Sequence, residues 1–213
     1  MVYFCIFASV QQKMSKAEKT KQFIIEKTST LFNIKGYAST SLSDISAATG
    51  LTKGSIYGNF KNKDEVALEV YHYNASNLKK NVAQSLDKEF LNITEKLNAF
   101  LSFYRNNWTT VFQNGGCPLL NAATECDDTF PELKKQVQIS FSDWIRTISQ
   151  IIRKGQDTQE FNPEIVSEEY AVQFIMLIEG GILLAKTMND EKYLHLALDR
   201  ISQITEQELK IHS

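Results

Sequence analysis

Residues 171–186 read AVQFIMLIEGGILLAK, an apolar run that as a helix would present a hydrophobic surface on nearly every side. Such a helix has to be buried all round, and a chain of 213 residues can cover only one side of it. Gly180 and Gly181 would let a second helix approach closely. The last stretch of the chain carries a stripe of its own, Leu194, Leu198, Ile201 and Ile204, at helical spacing. Together the last two helices predict a two-fold homodimer built as a four-helix bundle, the isologous arrangement commonest among oligomers. The competing reading is the central helix of a monomer.

The remainder of the chain agrees with an all-α fold. Only 3 prolines and 9 glycines interrupt long runs of helix formers. The histidines, His72, His195 and His212, are too far apart for metal-ligand spacing, so no metal site is expected. Cys5, Cys117 and Cys126 are few and odd in number, which argues against a disulfide framework and for a reducing, cytoplasmic setting. The opening MVYFCIFASVQQK is too short for a membrane span and lacks a basic leader. Residues 1–13 therefore read as a loose or non-native tail, with a secretory signal as the alternative, and no membrane partner is expected.

Organisation is clearest near the N-terminus. Ser15 to Lys35 forms one amphipathic helix, with Phe23, Ile24, Leu31 and Phe32 inward, ended by Gly36. Thr40 and Ser41 supply caps for a short helix with Leu42, Ile45 and Ala48 inward, stopped by Gly50. Thr52 caps a third helix to about Tyr57, and Asn62 opens a fourth with Glu65 as capping-box partner. A small residue, Ser46, four positions before Gly50, with Leu51 and Ile56 as buried anchors, is the pattern of a helix-turn-helix. The second helix of that pair exposes Thr52, Lys53, Ser55, Tyr57 and Asn59, suited to phosphate and base edges. Gly54 costs helix stability on an exposed turn, which makes sense where a DNA backbone or base edge must come close. From Lys13 to Glu65 nine lysines oppose five carboxylates, while the other residues hold 14 basic and 20 acidic groups. A basic end on an acidic body suits a polyanion, although scatter on a solvated surface gives the same numbers.

The segment GYASTSLSDISAATGLTKGSIYGNFKNKDEV resembles the DNA-binding segment of the TetR family of bacterial transcriptional regulators. The matching positions are Gly36-Tyr37, Thr40, Asp44-Ile45, Gly50, Lys53-Gly54-Ser55, Ile56-Tyr57, Phe60 and Lys63 followed by an acid. The resemblance covers about Lys16 to Val70. It implies a helix-turn-helix DNA-binding domain over 14–75 (motif about 41–60) and a helical effector-binding and dimerisation domain over 76–213. It implies further that Thr40 caps the second helix and touches phosphate, beside Ser41. Thr52, Lys53, Gly54, Ser55 and Tyr57 would meet the major groove or its flanking phosphates, and Lys63 would contact phosphate. Asn59 departs from the usual histidine or tyrosine, and Ser46 and Thr49 from common alanines. The implied function is a homodimeric, ligand-responsive repressor on a palindromic double-stranded DNA operator.

In the body, Phe100, Phe103, Tyr104, Trp108, Phe112, Phe141 and Trp144 suggest either an apolar core or the wall of an effector pocket. Asn121 and Glu179 would be its polar anchors. No nucleophile, base and orienter form a set and no phosphate loop occurs, so neither enzyme activity nor a cofactor is expected. Cys117, just before Pro118, is expected at a helix N-cap, where free N–H groups would lower its pKa. That makes it a candidate electrophile or oxidant sensor, with inert packing as the competing reading. A small-molecule-binding or thiol-reactive protein with a vestigial head is the alternative function.

Overall fold

The computed structural model describes residues 15–87, 89, 92–126 and 130–211. The N-terminal tail expected over residues 1–13 lies outside the described residues. Helices α1 (Lys16–Lys35), α2 (Leu42–Thr49) and α3 (Lys53–Tyr57) form a compact head, and α4 (Lys63–Leu86) leads from it into the body. The body comprises α5 (Ile93–Gln113), α6 (Pro118–Glu125), α7 (Pro131–Asp157), α8 (Ser167–Met188) and α9 (Lys192–Ile204), followed by a π-helical turn over Thr205–Leu209.

Local chemistry sets the head's boundaries. Ser15 and Glu18 close a reciprocal capping box on α1, as Ser41 and Asp44 do on α2. Gly50 takes a left-handed φ of 70°, as the turn into α3 requires. Asn62 caps α4 as expected, but Glu65 does not complete the box. Its carboxylate accepts instead from the Lys61 backbone N–H and the Lys21 ammonium, at 2.6 and 3.1 Å. The inward face of α1 is set by Ile24, Ile25, Thr28 and Phe32, while Phe23 is exposed, with the Lys27 ammonium over its ring. On α2, Ile45 is buried and Ala48 exposed.

Two hydrophobic clusters fill the molecule. The head cluster gathers Ile24, Phe32, Tyr37, Ile45, Ile56, Phe60, Val66, Val70 and Tyr71, and it is completed by Ala122 of α6, Cys126 just after it, and Leu133 and Val137 of α7. The body cluster runs from Val82 of α4 through Leu97, Phe100 and Trp108 to α7, α8 and α9. Helix α4 therefore belongs to both clusters.

Between α7 and α8 the Gln156 side-chain amide donates to the carbonyls of Asn162, Pro163 and Ile165, holding that segment out of helix. Near the end of α7 the Phe161 ring packs against Gly155 where a side chain would stand. The stripe Leu194, Leu198, Ile201 and Ile204 is buried inside the protomer. This corrects the expectation that it forms a dimer seam. Gly181 serves the same internal contact: a Cβ there would lie 2.9 Å from the Ala197 Cβ. A run of uncovered apolar surface lies on α8, where Met176, Leu183, Leu184 and Met188 are 49–61% exposed and Gly180 faces open space, and α9 adds Leu196. Spacings of four, seven and eight residues put Met176, Gly180, Leu183 and Leu184 on one face. Among the described residues α8 is also the one helix long and apolar enough to cross a membrane, yet 44% of that window is buried in the protein.

Leu198→Glu should then prevent folding or cost about 4 kcal/mol or more, because a charge would replace a packed core side chain. Leu196→Glu, at a position 62% exposed on the same helix, should leave the urea midpoint nearly unchanged. Equal midpoints for the two variants would contradict this packing.

Candidate nucleic-acid interface

The second helix of the helix-turn-helix stands on two anchors, Ile56 and Phe60, which are 0% and 2% exposed. Anchoring them turns Thr52, Lys53, Gly54 and Tyr57 outward, with Ser55 and Asn59 half-buried beside them. Thr52 accepts a hydrogen bond from the Ser55 N–H at 3.2 Å, which caps the helix. A Cβ on Gly54 would meet nothing nearer than the Thr52 hydroxyl at 3.9 Å, so no neighbour within the protein demands a glycine. The Asn59 amide donates to the Ser55 carbonyl at 2.8 Å and closes the helix from the other end.

The turn itself is held by hydroxyls. Ser46 donates to the Leu51 carbonyl, and Thr49 donates to the Ile45 carbonyl while accepting from the Leu51 N–H. The small size of Ser46 and Thr49 suggested packing alone and gave no sign of these bonds.

Thr40 sits differently from the implied cap. It is fully buried, and its hydroxyl donates to the Gly36 carbonyl at 2.7 Å. Ser41, exposed, caps α2 instead. Asp44 is held well below the usual carboxylate range by hydrogen bonds from the Lys35 ammonium and from Ser41. The Lys63 ammonium donates to the carbonyls of Ala38 and Tyr37, at 2.7 and 3.3 Å, bracing the loop after α1.

The body residues expected around an effector do not converge on one cavity. A cavity of about 910 Å³ opens between α4, α5 and α7, and of the expected set only Trp144 lines it. Trp108 is buried in the body core, Phe103 packs against that core, and Phe141 bridges the two clusters. Asn121 belongs to the junction between head and body. Its amide donates to the Asn33 side-chain oxygen and to the carbonyls of Asn33 and Gly115, at 2.8–3.0 Å. Asn33 in turn donates to the carbonyls of Asn114 and Gly116, and Lys186 of α8 donates to the Gly115 carbonyl. Glu125 accepts from the Ala38 N–H at 3.1 Å. A Cβ on Gly115 would fall 2.9 Å from the Asn33 carbonyl oxygen, so the loop presses directly on α1.

Cys117 is the N-cap of α6, but its thiol behaves opposite to expectation. Burial and the neighbouring Glu179 carboxylate push its pKa well up, outweighing the Leu119 and Leu120 N–H groups that act the other way. The thiol donates to Glu179 at 3.1 Å. Burial raises the Glu179 carboxyl to about 7, leaving its second oxygen and the nearby Tyr104 hydroxyl without partners among the described residues. A protonated, buried thiol is a poor nucleophile, which corrects the expectation of an activated cysteine.

Comparison with known proteins decides the family. Residues 24–70 match the family described as "Bacterial regulatory proteins, tetR family", and residues 94–201 match "Tetracyclin repressor-like, C-terminal domain". A TetR-family transcriptional regulator from Cytophaga hutchinsonii superposes with a TM-score of 0.89 at 35% identity, covering 95% of this chain and all of that one. The chain belongs to the TetR family. A second TetR regulator, from Chloroflexus aurantiacus, gives a TM-score of 0.85 at 32% identity over 93% of this chain and 100% of its own. The HTH-type transcriptional repressor DhaR of a Mycobacterium species is 22% identical over 78% of this chain and 82% of its own length.

As a TetR regulator the protein is a DNA-binding transcription factor of the helix-turn-helix class. The polar junction at Asn33, Asn114 and Asn121 was missed from the sequence. Three asparagines spread over about ninety positions leave no local pattern to read. Titration of Glu179 provides a check on the body site. The carboxyl holds its proton more tightly folded, at about 7, than at its ordinary 4.5. Its contribution to stability is therefore complete in acid and is lost as the pH rises through about 7. Urea denaturation between about pH 5 and about pH 8 should show a shallower decline for Glu179→Gln than for the wild type. Identical slopes would mean that Glu179 is not held protonated.

Proposed function

We propose that this TetR regulator is a cytoplasmic, homodimeric repressor that binds a palindromic operator through Thr52, Lys53, Gly54, Ser55 and Tyr57. Release follows occupation of the cavity between α4, α5 and α7 by a small-molecule effector. The observation that carries the DNA-reading part is the outward presentation of these α3 residues on the buried anchors Ile56 and Phe60. Lys53 is exposed and able to reach a phosphate, while the Ser41 hydroxyl is engaged in the capping box with Asp44 and Thr40 acts from beneath, fixing the loop that carries Ser41. Lys63 and Asn59 already make bonds within the head, so they brace the recognition surface and contact DNA only by exchanging those bonds. Dimerisation uses the uncovered face of α8 around Gly180, Leu183 and Leu184, so that two heads address two half-sites one helical turn apart. The role is one of binding, without catalysis, and it supports neither a thiol sensor at Cys117 nor a membrane-spanning use of α8.

Selection of bound sequences from random DNA should return a two-fold palindrome. On that site Lys53→Ala should weaken binding to all sequences alike and reduce the salt slope by about one unit for each phosphate no longer neutralised. An unchanged slope would remove Lys53 from the interface. The double variant Leu183→Glu/Leu184→Glu should sediment as a folded monomer with little operator affinity, and a dimer that persists would rule out this face of α8.

A further inference from the structure

The cavity between α4, α5 and α7 has a chemistry that narrows what it can hold. Its floor is apolar, formed by side chains such as Leu78, Val82, Ile93, Leu119, Trp144 and Ile151. At about 910 Å³ it is near the upper end of small-molecule sites, which run from roughly 300 to 1,000 Å³. The charges around it are not balanced. Four lysines (Lys79, Lys80, Lys96 and Lys154) line it against two aspartates, Asp87 and Asp143. Asp143 is already engaged by Lys79 and by Arg146.

The other three lysines come from three different helices, Lys80 from α4, Lys96 from α5 and Lys154 from α7, and none has an ion-pair partner among the described residues. They do not belong to the DNA surface. Lys80 stands seventeen residues along α4 from Lys63, about 25 Å at the helical rise of 1.5 Å per residue. Three like charges around one apolar recess repel one another, and an anion placed between them relieves that repulsion.

Resting on the reading of this cavity as the effector site, the geometry points to an amphipathic anion as its ligand: a soluble carboxylate with an extended apolar body. The apolar part lies on the floor against Trp144 and Leu119, and the carboxylate meets Lys80, Lys96 and Lys154 at the rim. Leu119 also connects the ligand to regulation, since it is two residues from Cys117 and in the same short helix as Asn121, which bonds to α1 of the head. A ligand that displaces Leu119 therefore acts on the helix that closes the head's core.

The test uses three probes with ten-carbon chains below their micelle concentrations: decanoate, decanol and decyltrimethylammonium. Titration calorimetry on the full-length protein should give decanoate at least ten-fold tighter binding than decanol, with the cationic probe weakest. Raising the salt should narrow the gap. Lys80→Gln/Lys96→Gln/Lys154→Gln replaces lysines at the cavity rim, where folding is not at stake, and should reduce decanoate to the level of decanol. Decanol binding as tightly as decanoate, no heat from decanoate, or a triple variant that keeps the preference would each overturn the anion assignment. Ala83→Trp, which places an indole in the cavity, separates this from the underlying reading. If decanol releases operator DNA from the wild type but not from Ala83→Trp, the cavity is the effector site and only the charge assignment fails. If Ala83→Trp binds decanoate as the wild type does, the ligand lies elsewhere and both fail.

Discussion

The head of this protein cannot complete its hydrophobic core alone. Ile24, Phe32, Tyr37 and Tyr71 pack in one cluster with Ala122 of α6, Cys126 just after it, and Leu133 and Val137 of α7. A three-helix unit of about fifty residues buries a small share of its surface, so side chains supplied by the body contribute heavily to its stability. Everything else about the geometry follows from that sharing. Helix α3 is seated by Ile56 and, just beyond its end, Phe60, which enter the shared cluster, and α4 is held at both ends because it enters both clusters. A displacement of α6 or of the first turns of α7 is therefore a displacement of the head's own interior.

A layer of directed bonds lies over this apolar contact. Asn121 donates to Asn33, both side-chain amides donate to carbonyls of the loop over 114–116, and Glu125 accepts from the Ala38 N–H. Buried amides of this kind cost free energy when left unpaired, so they tolerate few alternative arrangements. Hydrophobic packing holds head and body together, and the amides fix the angle between them. Cys117 and Glu179 follow the opposite logic deeper in the body. There burial, with no cation beside it, raises the Glu179 carboxyl to about 7 and pushes the Cys117 thiol up, so both groups hold their protons more tightly than in water.

What could be read from the sequence was whatever is encoded locally. Capping by Ser41, Thr52 and Asn62, the turn at Gly50 and the anchors Ile45 and Ile56 are properties of a few adjacent residues, and the head was legible from them. The outward set on α3 was legible for the same reason. Thr40 was misread because a threonine beside a serine gives two possible caps, and only the fold decides which hydroxyl turns inward to Gly36. The stripe on α9 was misassigned because periodicity shows that a face is buried without showing against what. Leu194 and Leu198 are covered by their own protomer, and the bare face belongs to α8. Cys117 illustrates the remaining limit. Its place at the N-cap was visible in Pro118, but its acidity depends on Glu179, sixty-two residues away.

The bond from Lys186 to the Gly115 carbonyl joins parts that are otherwise far apart in the chain. One loop of three residues touches α1 of the head through Asn33 and touches α8 through Lys186. Under the proposed pairing of two copies through α8, self-association and head orientation share a single mechanical element. Coupling of this kind works in both directions. Operator DNA that fixes the two heads also tightens the pairing of the copies, and dilution that separates the copies loosens the heads. The amount of the regulator in the cell then sets its sensitivity as well as its occupancy.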